Sequence, residues 1–144
     1  MVTTLGELYL RSREALLETE EPQMAGQMAR DLVSTLSGRT QEQFLVDRDR
    51  EAPEELVLQV LDGVDRLKRG EPLPYVLGEW TFYGLPMVVS PDVLIPRDDT
   101  CALAELAIHR GLFLEKDPRI LDLCCGSGCI GLAIASRLKD ARVT

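Results

Sequence analysis

Residues 119–131 read RILDLCCGSGCIG, the stretch that most narrows what this chain can become. Arg119–Cys124 is a short apolar run bounded by a turn signal, which predicts a buried strand of a parallel sheet. Gly126 and Gly128 flank Ser127 and supply a tight turn with no Cβ to bar the close approach of a ligand. Cys129–Leu138 then reads as a helix whose first amides lack partners of their own, and Ala141–Thr144 opens a further strand. Strand, turn, helix and strand in that order predict an α/β sheet.

Such a turn has three readings. In dinucleotide folds it receives a pyrophosphate at the helix N-terminus. It also suits a sulfonium nucleoside, fitting the amino-acid and ribose portion rather than a phosphate. The third reading is a tight connection with no ligand. Cys124 stands where a three-glycine fingerprint would begin with glycine, which counts against the pyrophosphate.

Upstream, residues 1–72 predict a small helical bundle. Thr4 with Glu7 forms a capping-box pattern ahead of Leu5, Leu8, Leu16 and Leu17. Pro22 marks the start of a second helix, with Met24, Met28, Leu32 and Leu36 as its apolar stripe and Gly38 as its C-terminal stop. Thr40 with Gln43 starts a short third helix. Pro53, at a first helical position, opens a fourth helix with Leu56, Val60, Leu61, Val64 and Leu67 on one side, closed by Lys68, Arg69 and Gly70. The pattern then changes. Residues 73–96 are rich in proline, and Trp80–Tyr83 and Pro86–Val89 around Gly84-Leu85 predict a β-hairpin. Residues 97–144 begin with a helix capped by Asp98 or Asp99, with Leu103, Leu106 and Ala107 along it to Gly111. The expected fold class is therefore α plus α/β: a helical bundle over 1–72, a β-hairpin linker over 73–96, and from 97 the first part of a Rossmann-like sheet.

Charge excludes one class of partner. The chain carries a net charge of −8, with 15 acids against 9 bases in residues 1–72 and 9 against 7 in residues 73–144. Neither half offers the basic patch that nucleic-acid binding needs. No run approaches the roughly 20 apolar residues of a membrane span, and the acidic, amphipathic N-terminus is unlike a signal peptide. The cysteines, at 101, 124, 125 and 129, do not read as a disulfide framework, and a reducing cytoplasm is the expected compartment. They contain no C-x-x-C pair, and adjacent cysteines on a strand point to opposite faces, so they read as buried small residues rather than a zinc site. His109, the single histidine, reads as a surface or packing residue. Trp80, Phe82 and Tyr83 read as hairpin core.

LGEWTFYGLPMVVSPDVLIPRDDT, followed by ILDLCCGSGCIGLAIAS, resembles the HemK/PrmC family of glutamine methyltransferases. The resemblance runs from about Leu56 onward and is strongest in Gly70–Tyr75, Phe82–Pro86, Leu94–Thr100 and Ile120–Ile130. It implies a class I methyltransferase domain, S-adenosyl-L-methionine as cofactor, and peptide chain release factors as substrate, methylated on the side-chain amide of a glutamine. A related branch acts on a ribosomal protein, and the wording Ile95-Pro96-Arg97-Asp98-Asp99-Thr100 is closer to the release-factor branch.

By resemblance, Cys124, Cys125, Gly126, Ser127 and Gly128 would line the methionine end of the cofactor. Asp122 would orient the loop and accept hydrogen bonds near the cofactor's amino group. Ile95, Pro96, Arg97 and Thr100 belong to the segment that would cover the pocket, and the helical module would dock the release factor. The family usually has Thr-Glu where this chain has Thr100-Cys101, and commonly glycine at Cys124.

An acidic residue gripping the ribose is expected about 20 residues past the glycine turn, which falls beyond Thr144. The family's Asn-Pro-Pro-Tyr motif, which holds the glutamine amide, is absent from the sequence. The expectation is an inactive N-terminal portion of such an enzyme, with one wall of the cofactor site, no catalytic residues, and self-association through an unfinished sheet. The alternatives are a non-catalytic binding module and, disfavoured by Cys124, an NAD-type protein.

Overall fold

The computed structural model describes residues 3–113 and 117–144, which divide into two units, 1–77 and 78–144. The first unit is helical: α1 (Leu5–Leu16), α2 (Pro22–Leu36), α3 (Gln41–Val46), α4 (Glu54–Lys68) and α5 (Leu73–Leu77).

Local chemistry explains the boundaries. The Thr4 hydroxyl accepts from the Glu7 amide at 3.2 Å, while the Glu7 carboxylate accepts from the Thr4 amide at 2.9 Å. Thr40 and Gln43 repeat the box at the start of α3. Gly38 (φ +65°) ends α2 with paired bonds from its own amide to the Thr35 carbonyl and from the Arg39 amide to the Ser34 carbonyl. Gly70 (φ +86°) ends α4 the same way, through Leu67 and Arg66. Pro53 occupies the N-cap of α4 rather than its first turn, which is left to Glu54 and Glu55. The first amides of α1 are satisfied from outside the helix: Leu5 donates to the Arg50 carbonyl and Gly6 to that of Arg48.

α1, α2 and α4 pack on one another, with α5 against α2 and α4. Leu5, Leu8, Leu16, Leu32, Val33 and Val60 are fully buried. Each such leucine contributes about 1.5–3 kcal/mol of burial. The stripe expected on α2 is rotated: Met24 is 52% exposed, whereas Ala25, Gly26 and Ala29 face inward beside Leu32 and Val33. Small residues let the helices approach closely, and that outweighs the larger methionine side chain. Leu17 is likewise exposed.

Residues 73–77 form α5, held by one side chain of α4. The Arg66 guanidinium donates to the Tyr75 carbonyl at 3.1 Å and, through Nε, to Glu71 Oε2 at 2.8 Å. The fork holds the Glu71 carboxyl below the usual carboxylate range and raises the guanidinium, so both partners favour the charged pair.

The second unit opens with an antiparallel hairpin, β1 (Glu79–Phe82) and β2 (Leu85–Val88). Its two-residue turn is Tyr83-Gly84, not Gly84-Leu85. Both residues have positive φ (53° and 77°), the backbone that matches the twist of the flanking strands. Phe82 and Met87 are buried and Trp80 is half-buried. α6 (Asp98–Leu112) follows, with Arg97, rather than an aspartate, at the N-cap, and Asp98 and Asp99 in the first turn. Its buried side is Ala104, Ile108 and Gly111, while Leu103 and Leu106 are exposed. β3 (Arg119–Ile120), α7 (Cys129–Arg137) and β4 (Arg142–Val143) complete the unit, with β3 and β4 adjacent and parallel. Ile108, Ile134 and Leu138 form its core, with Tyr83, Ile120, Ile130 and Val143 packed around them. The strand expected over 119–124 is shorter, and Leu121 and Leu123 are 70% and 78% exposed, because β4 is its single neighbour among the described residues. No helix among the described residues is long and apolar enough to cross a membrane.

Candidate cofactor site

The residues from Asp122 to Gly128 lie together on the connection between β3 and α7. The backbone turns there through three left-handed positions, Cys124 (φ 62°), Gly126 (54°) and Gly128 (74°). A Cβ on Gly126 would meet nothing within 4 Å, so the turn is open to an approaching ligand. Gly128 is the N-cap of α7 and has no side chain to cap it. Asp122 supplies the missing acceptor from the far side of the turn: its Oδ2 takes the Gly131 amide, in the first turn of α7, at 3.0 Å. The Asp122 backbone is itself held, since its amide donates to the Thr144 carbonyl at 2.7 Å. The turn is closed internally by the Gly128 amide on the Cys125 carbonyl at 2.8 Å.

Other amides stay available. Among the described residues, the N–H groups of Gly126, Ser127, Cys129 and Ile130 have no hydrogen-bond partner. They sit at a helix N-terminus, where partial positive charge favours an anionic group. One carboxylate oxygen of Asp122 is used on Gly131, and the other faces no donor among the described residues. An amino acid bearing both carboxylate and ammonium is matched by this pairing of open amides with an acidic side chain. The donor set thus fits the methionine portion of S-adenosylmethionine.

Cys124 and Cys125 are exposed, not buried, and Cys129 is buried at the start of α7. The exposure follows from the backbone: β3 ends at Ile120, so neither cysteine lies on a strand.

The second expected segment leads into α6. Ile95 is half-buried, Pro96 is buried, Arg97 is the exposed N-cap, and Thr100 is half-buried with its amide on the Arg97 carbonyl at 2.9 Å. Among the described residues no hydrogen bond joins this segment to Asp122–Gly128. α6 does pack on α7, through Gly111, where a Cβ would collide with Leu138. Sequence reasoning missed Gly131, whose amide anchors Asp122 and whose missing Cβ makes room for it; an extra Cβ would lie 3.0 Å from Asp122 Oδ2. No local signal announces it, because the bond spans nine positions and depends on how the strand end meets the start of the helix. It also missed Arg137, whose guanidinium stacks 5.2 Å from the Tyr83 ring centroid and ties α7 to the hairpin turn. His109 is exposed on α6.

Cavity size alone does not locate the site. An open groove of about 400 Å³ lies between the hairpin and α7, lined by Leu85, Pro86, Met87, Leu132, Ala135 and Ser136, and includes none of the turn residues. A larger one, about 580 Å³, lies in the helical unit around Arg39, Glu42 and Asp47.

Comparison with known proteins places the chain in a family. The family described as PrmC N-terminal domain matches residues 7–78. A release factor glutamine methyltransferase of Fusobacterium nucleatum is 51% identical over 79 residues, covering 55% of this chain and 22% of that protein. That of Haemophilus influenzae is 43% identical over 111 residues, covering 74% and 38%. That of Escherichia coli K12 is 34% identical over 131 residues, covering 91% and 47%. The helical unit coincides with the matched domain, and the hairpin, helix, strand, glycine turn and helix that follow are compatible with the start of a methyltransferase fold. The chain belongs to the HemK/PrmC family, and it spans less than half the length of the relatives described here.

Proposed function

We propose that this chain is the N-terminal portion of an S-adenosylmethionine-dependent enzyme that methylates a glutamine side-chain amide of peptide chain release factors. Asp122–Gly128 would bind the methionine end of the cofactor, with open amides toward its carboxylate and Asp122 toward its ammonium. When bound, the cofactor supplies an electrophilic methyl group. The observation that carries the reading is Asp122 locked onto Gly131 beside a turn whose amides remain open. In this account β3, α7 and β4 are the first βαβ unit of a Rossmann-like sheet, and Ile95–Thr100 covers the pocket. The helical unit would dock the release factor, in a reducing cytoplasm.

The family's Asn-Pro-Pro-Tyr motif does not occur in these 144 residues, so binding is assigned to this chain and methyl transfer is not. Equilibrium dialysis with labelled S-adenosylmethionine tests the cofactor assignment. One site per chain, undisturbed by NAD, is the expected result; displacement by NAD would replace this reading with a dinucleotide-binding one. Mass spectrometry of a release factor incubated with chain and cofactor should show no new glutamine methylation.

A second reading rests on the helical unit being compact by itself and matching the family from residue 7 to 78. A chain that retains release factor but not cofactor would be a docking module. Exposed Leu121 and Leu123, beside a two-stranded sheet, support self-association as well.

A further inference from the structure

Cys124 and Cys125 are consecutive, both exposed, and both free thiols. On a regular strand their side chains would point to opposite faces, beyond reach of a shared ligand. Here the strand has ended at Ile120 and Cys124 sits in the left-handed region at φ 62°, so that alternation does not apply. We propose that the pair forms a two-thiol site for a soft, thiophilic trivalent centre, the class represented by organic arsenoxides.

Geometry selects this chemistry over its two competitors. Neighbouring Cα atoms are about 3.8 Å apart. Relaxed disulfides need about 4.4–6.8 Å, so a direct bond between these two sulfurs is strained and the pair persists as a dithiol. An additional atom between the sulfurs removes that constraint. A tetrahedral zinc site needs four donors, and among the described residues no group of three or more His, Cys, Asp or Glu is placed to hold a metal ion. Two thiolates suit a soft centre that brings its own third substituent. Cys129 is buried and Cys101 half-buried, so the exposed pair reacts first.

The step with phenylarsine oxide balances without an oxidant. Two As–S bonds form and the arsenic–oxygen bond breaks. The two thiol protons leave with that oxygen as one water, and arsenic remains trivalent. The resulting ring opens the glycine turn at the position assigned above to the cofactor. Resting on that assignment, arsenical and S-adenosylhomocysteine exclude one another.

Intact-mass spectrometry of the full chain treated with phenylarsine oxide tests the site. The expected product is a single adduct of one arsenoxide less one water, stable to 2-mercaptoethanol and reversed by 2,3-dimercaptopropanol. Cys124→Ser and Cys125→Ser should each lose it, while Cys101→Ser and Cys129→Ser keep it. Absence of the adduct, its survival in either Cys124→Ser or Cys125→Ser, or its loss in Cys129→Ser would overturn the proposal. Circular dichroism confirms that each variant is folded. The cofactor reading is scored separately, by S-adenosylhomocysteine binding to the untreated chain. A stoichiometric adduct without such binding upholds the dithiol site and removes only the cofactor assignment.

Discussion

Oδ2 of Asp122 accepts the backbone amide of Gly131 at 3.0 Å, joining the end of the β3 segment to the first turn of α7. The bond makes Asp122 the working cap of that helix, because Gly128 in the cap position has no side chain. One carboxylate thereby holds the shape of the turn and places its second oxygen beside the open amides.

Replacing Asp122 with alanine removes this cap and should cost about 1 kcal/mol, within about 0.5–2. Asp122→Asn keeps an acceptor oxygen and loses only the charge's favourable interaction with the helix end, about 0.3–1 kcal/mol. Trp80 is the chain's single tryptophan and lies in the second unit, so its fluorescence in urea reports this change directly. An unchanged midpoint for Asp122→Ala would show that the bond does not hold the turn.

Gly63 of α4 faces Leu32 and Val76, and a Cβ there would lie 2.9 Å from Leu32 Cδ1 and 3.3 Å from Val76 Cγ1. Alanine would gain about 0.8–1 kcal/mol of helix propensity and incur about 1–3 kcal/mol of overpacking. The second effect wins. Gly63→Ala should lower the helical unit's urea midpoint, read by circular dichroism, and a raised midpoint would refute the packing described.

Leu32 is fully buried, whereas Leu58 on α4 is 62% exposed. Leu32→Ala should cost about 2–5 kcal/mol and Leu58→Ala less than about 0.5. Comparable losses at the two positions would mean that the helical core is assigned to the wrong face.

The Glu71 carboxyl is depressed chiefly by its hydrogen bond from Arg66. A depressed carboxylate contributes stability above its unfolded pKa, and that contribution is lost as pH falls through the folded value. Urea midpoints of the natural chain should therefore fall more steeply than those of Glu71→Gln below about pH 4.3, the ordinary glutamate value. Parallel pH profiles would show that the pair is not formed in solution.

The helix starts were legible because they are local: Thr4 with Glu7 and Thr40 with Gln43 each cap within four residues. Gly38 and Gly70 stop helices for the same kind of reason, a left-handed backbone that glycine adopts freely. Faces were less legible. On α2 the apolar pattern favoured Met24, but close packing with α1 and α4 selected Ala25 and Ala29. The hairpin moved by one residue because the turn placed Tyr83 as well as Gly84 at positive φ, which composition does not announce for a tyrosine.

The candidate site shows the same division. The turn and the start of α7 at Cys129 could be read from spacing. The exposure of Cys124 and Cys125 could not, because it depends on how far β3 extends, which a partner strand decides. Nor could the bond from Gly131, which depends on how the strand end and the helix start face one another.

Thermal unfolding followed by Trp80 fluorescence, in increasing S-adenosylhomocysteine, tests the central assignment most directly. A ligand that binds the folded turn should raise the transition progressively, with about 2.7 kcal/mol gained at a hundredfold excess over its Kd. Asp122→Ala should abolish most of that gain. A transition that stays fixed as S-adenosylhomocysteine rises, or one that responds to NAD instead, would contradict the account.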